Sequence, residues 1–406
     1  MTQSKAGSMD RRGFLKTAAG TAGLVILAPA SVRGFEANSK IQLGLIGCGG
    51  RGQWIAGLFK EEGHYEISAL ADYFKDRVTA AGEKFAVPAE RRFTGLDCYK
   101  QLLQGKVDAV AIISPPYFHP EQTVAGLAAG KHVYLAKPIA VDAPGAMAIT
   151  AAAAKVNGKL SCLVDFQTRA NEFYKGAFEK VKEGLMGKPV CGQAYYYAGR
   201  LGLHAKPGTE QARLRNWVFD IALSGDIIVE QNVHALDVAN WFLQGHPVKA
   251  VGTGGRKARV DVGDCWDHFV VTYTYPDDVL LDFSSGQFTQ RYDDICCRVY
   301  GTLGTFDSHY GGLVNILAKT GGYRGGQTGG IYKEGAQANI KTFAEALLAS
   351  KHVNNTEESA NSTMTGVLGR IAAYTGKTVT WDDMIKAGEK LDPKLNLPAD
   401  GPDWKG

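Results

Sequence analysis

The chain has 406 residues, with 45 Lys and Arg against 41 Asp and Glu and a formal charge of +4; that length exceeds what one core organises and suits two domains. Most of the excess charge sits in residues 1–30, where Lys5, Arg11, Arg12 and Lys16 face Asp10 alone, so the remainder is nearly neutral and offers no basic surface for nucleic acid. Seven cysteines, adjacent only at Cys296 and Cys297, show neither Cys-x-x-Cys nor zinc-ligand spacing; they read as buried thiols, and no metal site is expected.

Asp10-Arg11-Arg12-Gly13-Phe14-Leu15-Lys16 precedes a mildly apolar run, Thr17 to Leu27, and then Ala28-Pro29-Ala30. The segment resembles a twin-arginine export signal, with Asp10 where Ser or Thr is usual. Its apolar run is too short and weak for a stable membrane span; an uncleaved amphipathic anchor is the alternative. Residues 1–37 are therefore expected to be signal and linker on a chain exported to the periplasm. Twin-arginine export carries folded protein, so a cofactor would be loaded before export.

Ile41 to Ile46 is an apolar run ending in Gly47-Cys48-Gly49-Gly50-Arg51-Gly52, and Asp72 closes the next apolar run. Gly-x-Gly-x-x-Gly between a strand and a helix, with an acid about twenty residues on, is the spacing of a dinucleotide-binding turn. Gly47 allows the tight turn, Gly49 lets backbone approach a pyrophosphate, and Gly52 lets helix and strand pack closely. The anion would sit on free N–H groups at the helix N-terminus. Asp72 would accept from both ribose hydroxyls and repel a 2′-phosphate, so NAD is expected and NADP disfavoured.

Helices are expected over Lys75 to Lys84, Cys98 to Leu103 and Glu121 to Ala129, alternating with strands Val107 to Ile113 and His132 to Leu135. Alternation at this pitch gives a doubly wound parallel sheet over residues 38–160, a Rossmann domain whose ligands bind at the carboxyl ends of the strands. Gly47, Asp72, Ser114 and Lys137 all fall at such ends. The combination of Gly-Cys-Gly-Gly-Arg-Gly, Ser114-Pro115-Pro116-x-x-His119 and Gly130-Lys131-His132-Val133-Tyr134-Leu135-Ala136-Lys137-Pro138 resembles the Gfo/Idh/MocA oxidoreductases. That family usually has Glu-Lys-Pro in the last motif; here Ala136 replaces the Glu. The resemblance implies that Gly47, Gly49, Gly50, Arg51, Gly52, Asp72, Ser114, Pro115, His119 and Lys137 face the cofactor. Lys137 would also meet the substrate hydroxyl and help remove its proton. On spacing alone Lys137 reads rather as a surface lysine that caps the preceding helix or pairs with a carboxylate; the family resemblance reverses that reading.

Residues 161–406 are expected to form an α+β domain with a large, mostly antiparallel open sheet; the resemblance implies that this domain binds substrate and mediates oligomer contact. Strands are expected at Val248 to Gly252, Asp267 to Tyr275, Val279 to Ser285 and Cys296 to Gly301, and the glycine-rich stretch 321–330 as a connecting loop. Glu230, His234, Asp237 and Trp241 recur on one helical face, where carboxylate and imidazole make an acid/base pair. The segment resembles the family's Asp-x-Gly-x-His-x-x-Asp, which implies His234 as general base, with Glu230 at the Asp position and Asn232 at the Gly position. Arg169 either touches cofactor or substrate or forms a structural ion pair. Tyr195-Tyr196-Tyr197 and Trp217 either line a sugar site or belong to strand and core.

The resemblance implies an NAD-dependent oxidoreductase acting on a sugar, glycoside or polyol hydroxyl, with Lys137, His234 and Glu230 catalytic. Outside the cytoplasm a dissociable cofactor would be lost, so a tightly bound, recycled NAD is expected. A redox-neutral NAD-dependent glycosidase is one alternative, and a catalytically silent NAD- or sugar-binding protein is another. A homo-oligomer, dimer or tetramer, is expected.

Overall fold

A computed structural model describes residues 40–402; the segment expected to be a twin-arginine signal lies outside them. The first half alternates strand and helix: β1 (Ile41–Ile46), α1 (Gly50–Glu62), β2 (Tyr65–Asp72), α2 (Lys75–Phe85), β3 (Arg92–Thr94), α3 (Cys98–Gln104), β4 (Ala109–Ile112), α4 (His119–Ala128), β5 (His132–Leu135), α5 (Ala143–Lys155) and β6 (Cys162–Val164). All six strands are parallel, in the order β3-β2-β1-β4-β5-β6. The continuous apolar runs form buried strands because helices cover both faces of the sheet; every residue of β4 and β5 is buried. Asp142 starts α5 by accepting the Gly145 N–H at 2.8 Å. The sheet runs past the expected boundary at residue 160, since β6 pairs with β5. The short apolar run Cys162–Val164 finds its partner there rather than in the second sheet.

The second half contains β7 (Pro189–Ala198), the single turn α6 (Ile227–Glu230), α7 (Val233–Phe242), and strands β8 (Lys249–Gly255), β9 (His268–Thr274), β10 (Leu280–Gln287), β11 (Asp294–Gly301), β12 (Gly304–His309), β13 (Leu313–Ala318) and β14 (Gly322–Gln327). α8 (Ile331–Leu348), α9 (Thr356–Thr375) and β15 (Val379–Thr380) follow. Nine strands form one sheet, β14-β13-β12-β11-β7-β10-β9-β8-β15, in which β7 and β10 are parallel and the other pairs antiparallel. Leu281 and Phe283 of β10 are buried while Leu280 and Asp282 are exposed, the alternation of a sheet covered on one face. α7 packs on β7 and β11, and α9 packs on β8 and β9. α9 also packs on α5, and α8 on α1, so helices from the second half bind the two sheets together. Among the described residues no helix is long and apolar enough to cross a membrane.

Two expectations are corrected. The glycine-rich stretch 321–330 is not all loop: Gly321, at φ 74°, makes the turn and Gly322–Gln327 adds β14 at the sheet edge. An edge strand has only one neighbour to satisfy, which tolerates glycine poorly suited to a central position. The second concerns Glu230 and His234, which do not share one helix. Gln231 and Asn232 separate α6 from α7, and both their N–H groups converge on the Ile227 carbonyl at 2.9 Å.

Candidate active site

At the nucleotide end, the Gly47-to-Gly52 turn leaves β1 with Gly47 at φ 94°, a conformation that favours glycine. A Cβ at Gly52 would lie 1.8 Å from the Gly47 carbonyl oxygen, so α1 can rest this close on the turn only with glycine there. Gly49 caps α1 without any side-chain hydrogen bond, and the first turn contains no acid. Its leading N–H groups are therefore available to an anion. Gly50 is exposed and a Cβ there would meet nothing.

Asp72, at the end of β2, accepts the Cys48 N–H at 2.7 Å on one oxygen and the Phe74 N–H at 2.9 Å on the other. Each carboxylate oxygen keeps a lone pair for a ribose hydroxyl. Burial pushes the Asp72 carboxyl up, while neighbouring Arg77 and the two N–H groups pull it down. Asp72, Arg77, Phe74, Leu96, Ser114, Pro115 and Leu214 line one apolar cavity with Gly47. A free helix N-terminus, a glycine cradle and an acid at the strand end fit a dinucleotide.

Ser114 also lines the second cavity, so the two meet at the end of β4. This substrate end is lined by Arg51, Lys137, Asp165, Tyr196, Trp217, Glu230, His234 and Tyr332, among others. Lys137 donates from Nζ to the Glu230 carbonyl at 2.5 Å and to Glu230 Oε1 at 3.3 Å. His234 is 8% exposed, and its Nδ1 has no hydrogen-bond partner. Burial, then Lys137 and Arg51, hold its pKa well below 6.5, so the ring is neutral near pH 7 and can accept a proton. The Arg51 guanidinium lies 4.4 Å from the Trp54 ring and 4.6 Å from the Tyr332 ring, which stack on each other with centroids 5.0 Å apart, and it pairs with Asp165 at 3.2 Å.

Lys137, Glu230, His234, Trp217 and Arg51 thus come together, the Arg51 side chain reaching from the glycine turn into the second cavity rather than the nucleotide cavity. Three expected residues stand elsewhere. His119 is 1% exposed, its ring nitrogens each 2.8 Å from the Pro138 and Ser114 carbonyls. Burial pulls its pKa to about 4, and it positions the two loops instead of lining the cavities. Arg169 takes the structural alternative: Nε lies 3.0 Å from both Asp237 oxygens, and the guanidinium stacks over Trp241 at 5.3 Å. Asn232 is 1% exposed in the break before α7, outside the cavity lining. Asp165, Gln231, Tyr332 and Arg77 were missed. Arg77, a base soon after the β2 acid, was the one with a local signal; the others reach the cleft only through tertiary packing.

A glycine turn feeding α1, an acid at the end of β2 and a lysine after β5, all on a doubly wound sheet, define an oxidoreductase of the NAD-binding Rossmann class. Residues 41–164 match the oxidoreductase family with an NAD-binding Rossmann fold, and residues 174–307 match the Gfo/Idh/MocA C-terminal domain. The chain belongs to the Gfo/Idh/MocA family. It is similar to inositol 2-dehydrogenase of Ralstonia nicotianae, 27% identical over 265 residues, which are 65% of this chain and 72% of that protein. The Klebsiella pneumoniae inositol 2-dehydrogenase is 25% identical over the same length and shares. In fold the chain is similar to levoglucosan dehydrogenase solved with NADH and levoglucosan, with TM-score 0.69 and 16% identity over 84% of this chain and 99% of that chain. It is likewise similar to aldose-aldose oxidoreductase from Caulobacter crescentus solved with glycerol, with TM-score 0.68 and 19% identity over 84% and 99%.

Proposed function

We propose that the protein oxidises a secondary hydroxyl of a sugar, polyol or glycoside by hydride transfer to NAD. The carrying observation is the neutral His234, its Nδ1 without a hydrogen-bond partner, lining the same cleft as the Lys137–Glu230 pair, a cleft that continues through Ser114 to the glycine turn. NAD, when bound, supplies the hydride acceptor. The chain supplies the rest. Lys137 Nζ donates to the substrate oxygen, Glu230 holds that ammonium in place, and His234 takes the hydroxyl proton as the carbon gives up its hydride. Trp217 and Tyr196 offer faces for sugar C–H groups. The names of the inositol and levoglucosan dehydrogenases support a polyhydroxylated ring as substrate.

The resemblance of residues 10–30 to a twin-arginine signal supports export of a preloaded protein whose NAD is recycled in place. The open face of the nine-stranded sheet, where Val251, Val270, Leu280 and Leu317 are exposed, supports a homo-oligomer of two or four copies. Protein purified without added nucleotide and mixed with a panel of inositols, aldoses and glycosides tests the reading. The expected result is bound NAD and an oxidised ring, with a second sugar reduced as the bound nucleotide is restored. Aglycone release would identify an NAD-dependent glycosidase. Absence of turnover on every compound would point to a silent binding protein.

A further inference from the structure

After α9 and a last short helix, Trp381–Ala387, residues 389–402 run without helix or strand back to the first domain. This tail meets, in order, the loops at the carboxyl ends of several strands of the parallel sheet. The Leu391 N–H donates to Asp142 at 2.9 Å, ahead of α5. Leu395 and Leu397 join one hydrophobic cluster with Tyr73, Phe74, Leu96, Tyr117, Phe118 and Leu214. The Ala399 carbonyl accepts the Leu96 N–H at 2.9 Å, and a Cβ at Gly401 would lie 3.0 Å from the Tyr73 carbonyl oxygen. Gly95, at φ 104°, is the close contact: a Cβ there would stand 2.5 Å from the Ala399 oxygen. Tyr73, Phe74, Gly95, Leu96, Phe118 and Leu214 all line the nucleotide cavity. The tail is therefore fastened to the outer side of the walls that would hold the adenosine half of the dinucleotide.

We propose that residues 391–401 are a strap that slows cofactor release, with Leu395 and Leu397 as its positioning residues. The inference rests on the NAD-dependent reading above and supplies a physical means for keeping the nucleotide through repeated turnovers. For the loops after β2, β3 and β4 to part and let adenosine out, Leu395 and Leu397 must leave their cluster and the Ala399–Leu96 bond must break. These contacts cost nothing to keep while the nucleotide stays. The strap thus acts on dissociation, the step through which most differences in affinity are expressed.

The test compares full-length protein, a form lacking residues 391–406, and the double variants Leu395→Ala/Leu397→Ala and Leu395→Met/Leu397→Met. Each is loaded with NADH, and release is followed by fluorescence after dilution into excess NAD. Roughly tenfold faster release is expected in the truncated and alanine forms, with slow release restored by methionine. KM for NAD should rise while kcat at saturating NAD holds, a split that general loosening of the fold would not give. Equal release rates in full-length protein and the alanine variant would overturn the strap while leaving NAD dependence intact. Failure of the full-length chain to bind NADH at all would overturn both.

Discussion

At the nucleotide end of the crevice, one stretch of six residues, Gly47 to Gly52, sets the shape, and its chemistry is backbone: a turn at φ 94°, free N–H groups and a helix that approaches because it lacks a Cβ. At the substrate end, Lys137 comes from the loop after β5, Glu230 and His234 from either side of a helix break, Arg51 from α1 and Tyr332 from α8. Its chemistry is side-chain charge. The contrast teaches that the first end fails when space is taken away, and the second when a charge or lone pair is removed.

The largest expected effect separates the two ends. Gly52→Ala forces a Cβ to 1.8 Å from the Gly47 oxygen, so turn and helix must part. A stability loss of ~3 kcal/mol and loss of NAD binding are expected by calorimetry. Lys137→Ala should leave NAD affinity within a few-fold, yet lower kcat by roughly 10²–10⁴. Loss of NAD binding in Lys137→Ala, or its retention in Gly52→Ala, would break the division.

Arg169→Ala sharpens the boundary of the substrate end. Asp237 is fully buried and would keep only the Ser362 hydroxyl, at 2.7 Å, among its side-chain partners. Removing the guanidinium should cost about 3 kcal/mol in denaturant unfolding, with KM for substrate little changed in the folded fraction. A selective rise in that KM would return Arg169 to the substrate site.

The smallest effect is a displacement on the pH axis. Because burial, Lys137 and Arg51 lower the His234 pKa, the base form persists as pH falls, and the acid limb of kcat/KM should lie below pH 6.5. Arg51→Gln removes one positive neighbour, which favours the protonated ring and should move that limb upward by less than about one unit. A downward movement would contradict the electrostatic assignment.

The nucleotide end was legible because its signal is local: glycines at fixed offsets, then Asp72 at the next strand end. The parallel sheet was legible for a related reason, since buried strands such as Ala109–Ile112 are continuous apolar runs between turn residues. Lys137 and His234 were read from motif, and their convergence needed the fold. The Gln231–Asn232 break was hidden because Glu230, His234 and Asp237 keep helical spacing through it. Asp165 and Tyr332 carry no sequence mark; Asp165 meets Arg51 from just past β6, and Tyr332 meets it only after α8 packs on α1. Arg169 shows the limit of motif transfer, because its partner Asp237 lies on another element and decides what the guanidinium does.

The most direct measurement is isotope transfer in a single turnover. Protein carrying NAD is mixed with an inositol or aldose deuterated at each ring carbon, and the nucleotide is weighed by mass spectrometry. The expected result is reduced NAD carrying one deuterium, formed in the unaltered protein and far more slowly in Lys137→Ala. Oxidation of the ring without label on the nucleotide, or labelling at equal rates in the two proteins, would contradict the account.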